Sequence, residues 1–167
     1  TFSLPWQAPP GEHTAKVWTS FPNGSADLDK SDDTITVQFS VFDSSGVYPY
    51  CNNFDSGLPV WVTLNSETYK PVGTSFQIGN PQKTILYGAH SGDSAWVTSL
   101  TQNYKTRDSS ALFTPVFNVD SVNCYKLSFW HKFNTETNED GGCVEVSMDG
   151  GLSWGLVGFA WEPKWYN

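Results

Sequence analysis

Apolar and polar residues alternate with a period of two along much of the chain. No stretch of useful length carries the 3.6-residue period of an amphipathic helix. Over residues 34–41, Ile35, Val37, Phe39 and Val41 fall on one face while Thr34, Thr36 and Gln38 fall on the other, which predicts a half-buried strand. Upstream, residues 14–20 contain Ala15, Val17 and Trp18 and predict a second strand. Between them, Asn23-Gly24 follows Pro22 as a turn, and the acidic stretch 27–33 reads as a solvated loop. The result is a hairpin with a long loop. Two strands alone do not make a stable domain. The hairpin therefore either joins the strands downstream of it or ends a domain that begins elsewhere.

Asp43-Ser44-Ser45-Gly46 is small, polar and flexible, and reads as a boundary between residues 1–44 and 45–167. Beyond it, strands are predicted at 60–64, 75–78, 84–87, 95–100 and 111–117. The clearest alternation lies at 125–133, where Tyr125, Leu127, Phe129, His131 and Phe133 interleave with Lys126, Ser128, Trp130 and Lys132. It turns through 135–142 into 143–148, where Val144, Val146 and Met148 share a face. Many short strands separated by turn residues predict an all-β sandwich or jelly roll.

Composition agrees with that class. Charged residues are 16% of the chain, against about a quarter in an average protein, so Ser, Thr, Asn and Gln must cover much of the surface. Eight Trp and eleven Phe supply ample apolar material. The net charge of -8 and the lack of any basic run argue against nucleic-acid binding, which needs Lys and Arg to neutralise phosphates. No apolar run approaches the length of about 20 residues that spans a bilayer. With neither an initiator Met nor a signal peptide, the sequence reads as a mature product or a fragment. Cys51, Cys124 and Cys143 match no metal spacing; three pairings are open, and an odd count leaves one thiol over. The predicted hairpin sets Cys124 and Cys143 out of register, which disfavours that pair.

Three segments together resemble a known family. Tyr50-Cys51-Asn52-Asn53-Phe54-Asp55-Ser56-Gly57 resembles the opening strand of MAM-like and cleaved-adhesin-like jelly rolls. Gly92-Asp93-Ser94-Ala95-Trp96-Val97-Thr98 resembles their second signature. Leu127 to His131, followed by Asp140-Gly141-Gly142-Cys143-Val144-Glu145-Val146-Ser147, resembles their central hairpin. The resemblance covers roughly residues 47–167. It implies a secreted or cell-surface protein of the kind found in Bacteroidetes-type bacteria, among adhesins, type IX secretion cargo and multidomain hydrolases. Further strands usually follow in these families, so it also implies a jelly roll truncated at its C-terminal side. In the first 44 residues, His13-Thr14-Ala15-Lys16-Val17-Trp18-Thr19 and Asp32-Asp33-Thr34-Ile35-Thr36 resemble the last two strands of an immunoglobulin-like adhesion domain.

Candidate chemistry is sparse. Ser147, Asp149, Gly151 and Trp154 fit the Asp-box pattern Ser-x-Asp-x-Gly-x-x-Trp, a folding device in which Asp accepts turn N–H groups and Gly permits positive φ. The resemblance implies a structural Ca²⁺ held by Asp55 and by oxygens of Ser91, Gly92 and Asp93. Asp140, just before Gly141-Gly142, is a further candidate ligand. The competing reading is that Asp55 caps a turn, Asp93 is merely exposed and Asp140 serves its own turn. The stretch 27–33 lacks the Gly and terminal Glu of an EF-hand. His13, His90 and His131 form no zinc motif, and His131 falls on the core register of its strand. Glu136 and Glu139 read as a wet loop. Trp130 alternates away from the Leu127/Phe129 face, which makes it a candidate sugar platform beside Trp61, Trp161 and Trp165. The cluster Trp161, Pro163, Trp165 and Tyr166 is expected to pack against further strands.

The expectation is therefore a non-catalytic adhesion or recognition module, exported to the cell surface. Its partners would be an extracellular glycan or protein and neighbouring domains of a longer chain, with calcium for rigidity. The alternatives are an accessory segment of a secreted peptidase or glycosidase, and a stalk spacer.

Overall fold

A computed structural model of the chain describes residues 7–19, 24–25, 29, 31, 33–45, 48–56, 60–120, 122–136 and 139–158. The Phe21–Asn23 part of the first turn, most of the acidic stretch and the Trp161–Tyr166 cluster lie outside the described residues. Those described are all-β, with no α-helix among them and hence no helix long and apolar enough to cross a membrane. The chain divides into two compact units, residues 1–129 and 130–167.

In the first unit, β1 (Gly11–Trp18) and β2 (Thr34–Val41) pair antiparallel, from Gly11 opposite Val41 to Trp18 opposite Thr34. The period-two pattern sets this register, because a slip of one residue would turn every apolar side chain to the polar face. His13, Ala15 and Val17 thus lie opposite Phe39, Val37 and Ile35, and the His13 and Phe39 rings stand 5.6 Å apart. Toward the loop, Thr19 N–H donates to Asp33 O and its hydroxyl to Asp33 Oδ1. The strand is less buried than its alternation predicts: Ile35 is 66% exposed, and Val17 and Val37 also face solvent.

Among the described residues, three short pairs make up the rest of this unit. β3 (Ser44–Ser45) runs parallel to β8 (Val116–Phe117), and β4 (Val62–Asn65) antiparallel to β7 (Ser110–Phe113). β5 (Phe76–Gly79) runs antiparallel to β6 (Ala95–Thr98). The most deeply buried residues lie on and around β4, where Val62 is 2% and Leu64 5% exposed, with Thr63, Ser75 and Pro115 also buried. Successive residues of β4 are all covered, so it is enclosed on both faces and shows no alternation of burial. Asp43, on the boundary read from the sequence, ties segments together. Its Oδ1 accepts Ser44 N–H, its Oδ2 accepts Val60 N–H, and its carbonyl accepts Val116 N–H. Phe42 packs edge-on against Phe113 with centroids 5.5 Å apart.

Two expected strands are absent. Residues 84–87 belong to a closed loop in which Gly88 N–H donates to Pro81 O and Gln82 bridges Tyr87. Lys83 crosses from this loop to donate to Thr98 O at 2.6 Å, and desolvation holds its ammonium below the usual lysine range. Residues 125–133 form no ladder, and Tyr125, Leu127, Phe129 and Phe133 are exposed. His131, expected in the core, is exposed as well and stacks on Phe133 at 5.9 Å. Alternation names the face a strand would bury but supplies no hydrogen-bonding neighbour.

The second unit is built on a small hairpin, β9 (Glu145–Val146) with β10 (Gly155–Leu156), extended by Val157 N–H donating to Val144 O. All five sheets among the described residues are two-stranded and open.

Candidate functional site

Asp55 occupies the most elaborated polar corner of the first unit. Asn52 Oδ1 accepts Phe54 N–H at 2.7 Å and Asn53 Oδ1 accepts Asp55 N–H at 3.3 Å, so two Asn side chains in a row fold the backbone back on itself. Phe54 takes φ 67° as a result, and its ring meets Trp61 edge-on at 5.1 Å. Trp61 Nε1–H donates to the Tyr50 hydroxyl at 2.9 Å, as does the Asn52 amide at 3.1 Å, and Tyr50 packs against Phe117. This aromatic wall backs the turn that carries the Asp55 carboxylate.

It points at the loop before β6. Asp55 Oδ1 accepts the backbone N–H groups of Asp93 at 3.0 Å and Ser94 at 2.9 Å, and Oδ2 accepts the Asn53 amide at 2.8 Å. Gly92 lies against the carboxylate with φ +68°, and a Cβ there would overlap the Asp55 oxygens. Glycine is thus required twice at position 92, by conformation and by space. The structure brings Asp55 and Asp93 together, but Asp93 contributes its backbone amide and its side chain is exposed.

This arrangement does not fit a calcium cage. Ca²⁺ takes about 6–8 oxygen ligands. Here three N–H donors occupy the carboxylate, and two of them are backbone dipoles with their positive ends toward the corner. Asp140 belongs to the second unit, where its N–H and that of Glu139 both donate to Glu136 O in a tight turn. Glu136 and Glu139 are the ends of that turn.

The Asp-box residues converge in the turn between β9 and β10. Asp149 Oδ1 accepts Leu152 N–H at 3.0 Å, Ser153 N–H at 2.9 Å and the Ser147 hydroxyl at 2.8 Å, while Oδ2 accepts the Ser153 hydroxyl at 2.5 Å. These donors, led by the Ser153 hydroxyl and amide, hold the Asp149 carboxyl down at about 2. Ser147 Oγ accepts Gly151 N–H at 2.7 Å. Gly150 and Gly151 both take positive φ, and a Cβ on Gly151 would stand 3.8 Å from the Trp154 ring. The turn has the chemistry of a local staple.

Trp130 is 77% exposed at the start of the second unit. Trp61, by contrast, is committed to the Tyr50 corner. The three cysteines are free and exposed, and burial first, then Glu145, pushes the Cys143 thiol up.

One polar centre escaped sequence reasoning. Asp120 accepts the N–H groups of Val122 and Asn123 and the Asn123 amide, and these bonds, led by Asn123, hold its carboxyl below the usual range. Beside it, Tyr48 donates to Asn118 O at 2.7 Å and packs on Tyr125 at 5.3 Å. The readable signal was Asp120-Ser121-Val122-Asn123, an Asp at the head of a short polar turn. Compared with family models, with curated proteins and with solved structures, the chain matches none.

Proposed function

We propose that this chain is a non-catalytic recognition module of an exported, cell-surface protein. In this reading residues 45–167 follow a MAM-like jelly-roll plan and residues 1–44 an immunoglobulin-like hairpin. Its work is to bind an extracellular glycan or protein. The observation that carries the reading is Trp130, a large aromatic side chain 77% exposed, with Lys132 and Phe133 also exposed nearby in sequence. Large apolar side chains exposed together mark interaction surfaces, and an indole offers a flat face to a sugar ring or an anchor to a protein pocket.

The acidic residues support a structural role over a catalytic one. Asp43, Asp55, Asp120 and Asp149 each accept backbone N–H groups that close turns or join loops. A general acid or base needs a carboxyl that exchanges its proton near the working pH, and Asp149 is held far below it. The calcium of the resembled families has no part in this reading, because the Asp55 corner is already stapled by N–H donors.

A glycan array and a surface-protein pull-down, each run with the parent chain and with Trp130→Ala, test the proposal. A signal lost in Trp130→Ala is the expected result. Binding unchanged by the substitution, or no binding in either format, would overturn it.

A further inference from the structure

The outer edge of β1 carries a self-complementary pattern. Thr19 N–H donates to Asp33 O at 3.0 Å, one step beyond the Trp18–Thr34 pair. Bonded and non-bonded pairs alternate in an antiparallel ladder. Gly11, His13, Ala15 and Val17 therefore direct their backbone groups at β2, whereas Glu12, Thr14, Lys16 and Trp18 direct theirs away from it. Among the described residues no strand pairs with that outer edge, and Glu12, Thr14 and Lys16 are exposed. Such a row of N–H and C=O groups is a template for another strand.

We propose that β1 pairs antiparallel with β1 of a second copy of this chain, about a two-fold axis at Thr14. This register sets Glu12 opposite Lys16 of the second copy and Lys16 opposite its Glu12. It uses the outward-facing backbone groups of Glu12, Thr14 and Lys16, the residues that β2 leaves available. Paired residues keep their faces, so Val17, Ile35 and Val37 of both copies line one side of a four-stranded sheet. An isolated two-stranded hairpin is marginal in water, and independent stability needs three or more strands with a hydrophobic face. An isologous contact of this kind closes on itself as a dimer.

Charge complementarity belongs to this edge. β2 carries no charged residue from Thr34 to Val41, so self-pairing there would form no Glu–Lys pair. The net charge of -8 on each copy opposes association, and physiological salt screens it over a length of about 8 Å. Cross-strand partners in a bonded pair stand about 5.5 Å apart, inside that length.

Sedimentation equilibrium of the whole chain at about 0.15 M salt is the test. A concentration-dependent monomer–dimer equilibrium is expected. Glu12→Lys alone, and Lys16→Glu alone, each turn both attractive pairs repulsive and should raise the dissociation constant about tenfold or more. The double exchange, Glu12→Lys with Lys16→Glu, restores both pairs and should return the parent value. Thr14→Pro removes an outward N–H that β2 does not use, and should leave a monomer with unchanged circular dichroism. A parent chain that stays monomeric at all concentrations, or a double exchange that stays as weak as the single ones, overturns the proposal.

Discussion

At the scale of single residues, the fold is held at its corners by aspartates that accept backbone N–H groups, and glycine makes room for them. Asp55 and Gly92 are the sharpest instance. Replacing Asp55 by Ala leaves the amides of Asp93 and Ser94 to water and should cost about 1 kcal/mol, as losing a helix cap does. Gly92→Ala meets both a positive φ and the Asp55 carboxylate, and should cost about 2 kcal/mol. In an Asp55→Ala background the overlap is gone and only the backbone strain is left, so the second substitution should cost about half as much. A double-mutant cycle by urea unfolding measures that difference; strictly additive costs would mean the two residues do not meet. Asp149 gives a second residue-scale expectation. Its folded carboxyl is held at about 2, below its unfolded value near 3.9, so its stabilising contribution is complete above the unfolded value and is lost as pH falls toward 2. Hydrogen exchange at Leu152 and Ser153 should therefore accelerate as pH falls through that window, after correction for intrinsic rates. In Asp149→Ala it should be fast throughout.

At the scale of elements, the sequence was most legible where one strand's own pattern decides the outcome. β2 spans the alternating residues 34–41, and β1, β5 and β6 lie within a few residues of where alternation puts them. Their registers follow because the apolar set of each must share a face with its neighbour's. The Asp-box turn was legible for a different reason: Ser147, Asp149 and Gly151 close it through bonds that reach no further than four residues. Residues 125–133 have the best alternation in the chain and no ladder, since pairing depends on a distant segment that no local pattern names. The Asp55 corner was half legible. Asp55 and the 92–94 loop stand out in sequence, but only the folded chain shows that the loop offers N–H groups to the carboxylate in place of oxygens to a cation. Burial predicts how elements differ in weight. Leu64→Ala, in β4 at 5% exposure, should cost about 2–5 kcal/mol, whereas Ile35→Thr on the open face of β2 should cost less than about 1 kcal/mol. Equal losses in chemical denaturation would show that the β2 face is covered in solution.

At the scale of the whole molecule, the described residues are most deeply covered around β4 and leave Ile35, Phe129, Trp130 and Met148 exposed. Exposed apolar side chains of this kind are what a recognition module or a self-pairing edge would bury against a partner. Adding calcium or a chelator during a calorimetric melt should leave the midpoint where it is. Asp55 has already given its oxygens to Asn53, Asp93 and Ser94, so a cation could gain it only by breaking bonds that hold the loop. A midpoint that rises with calcium would make the corner a metal site.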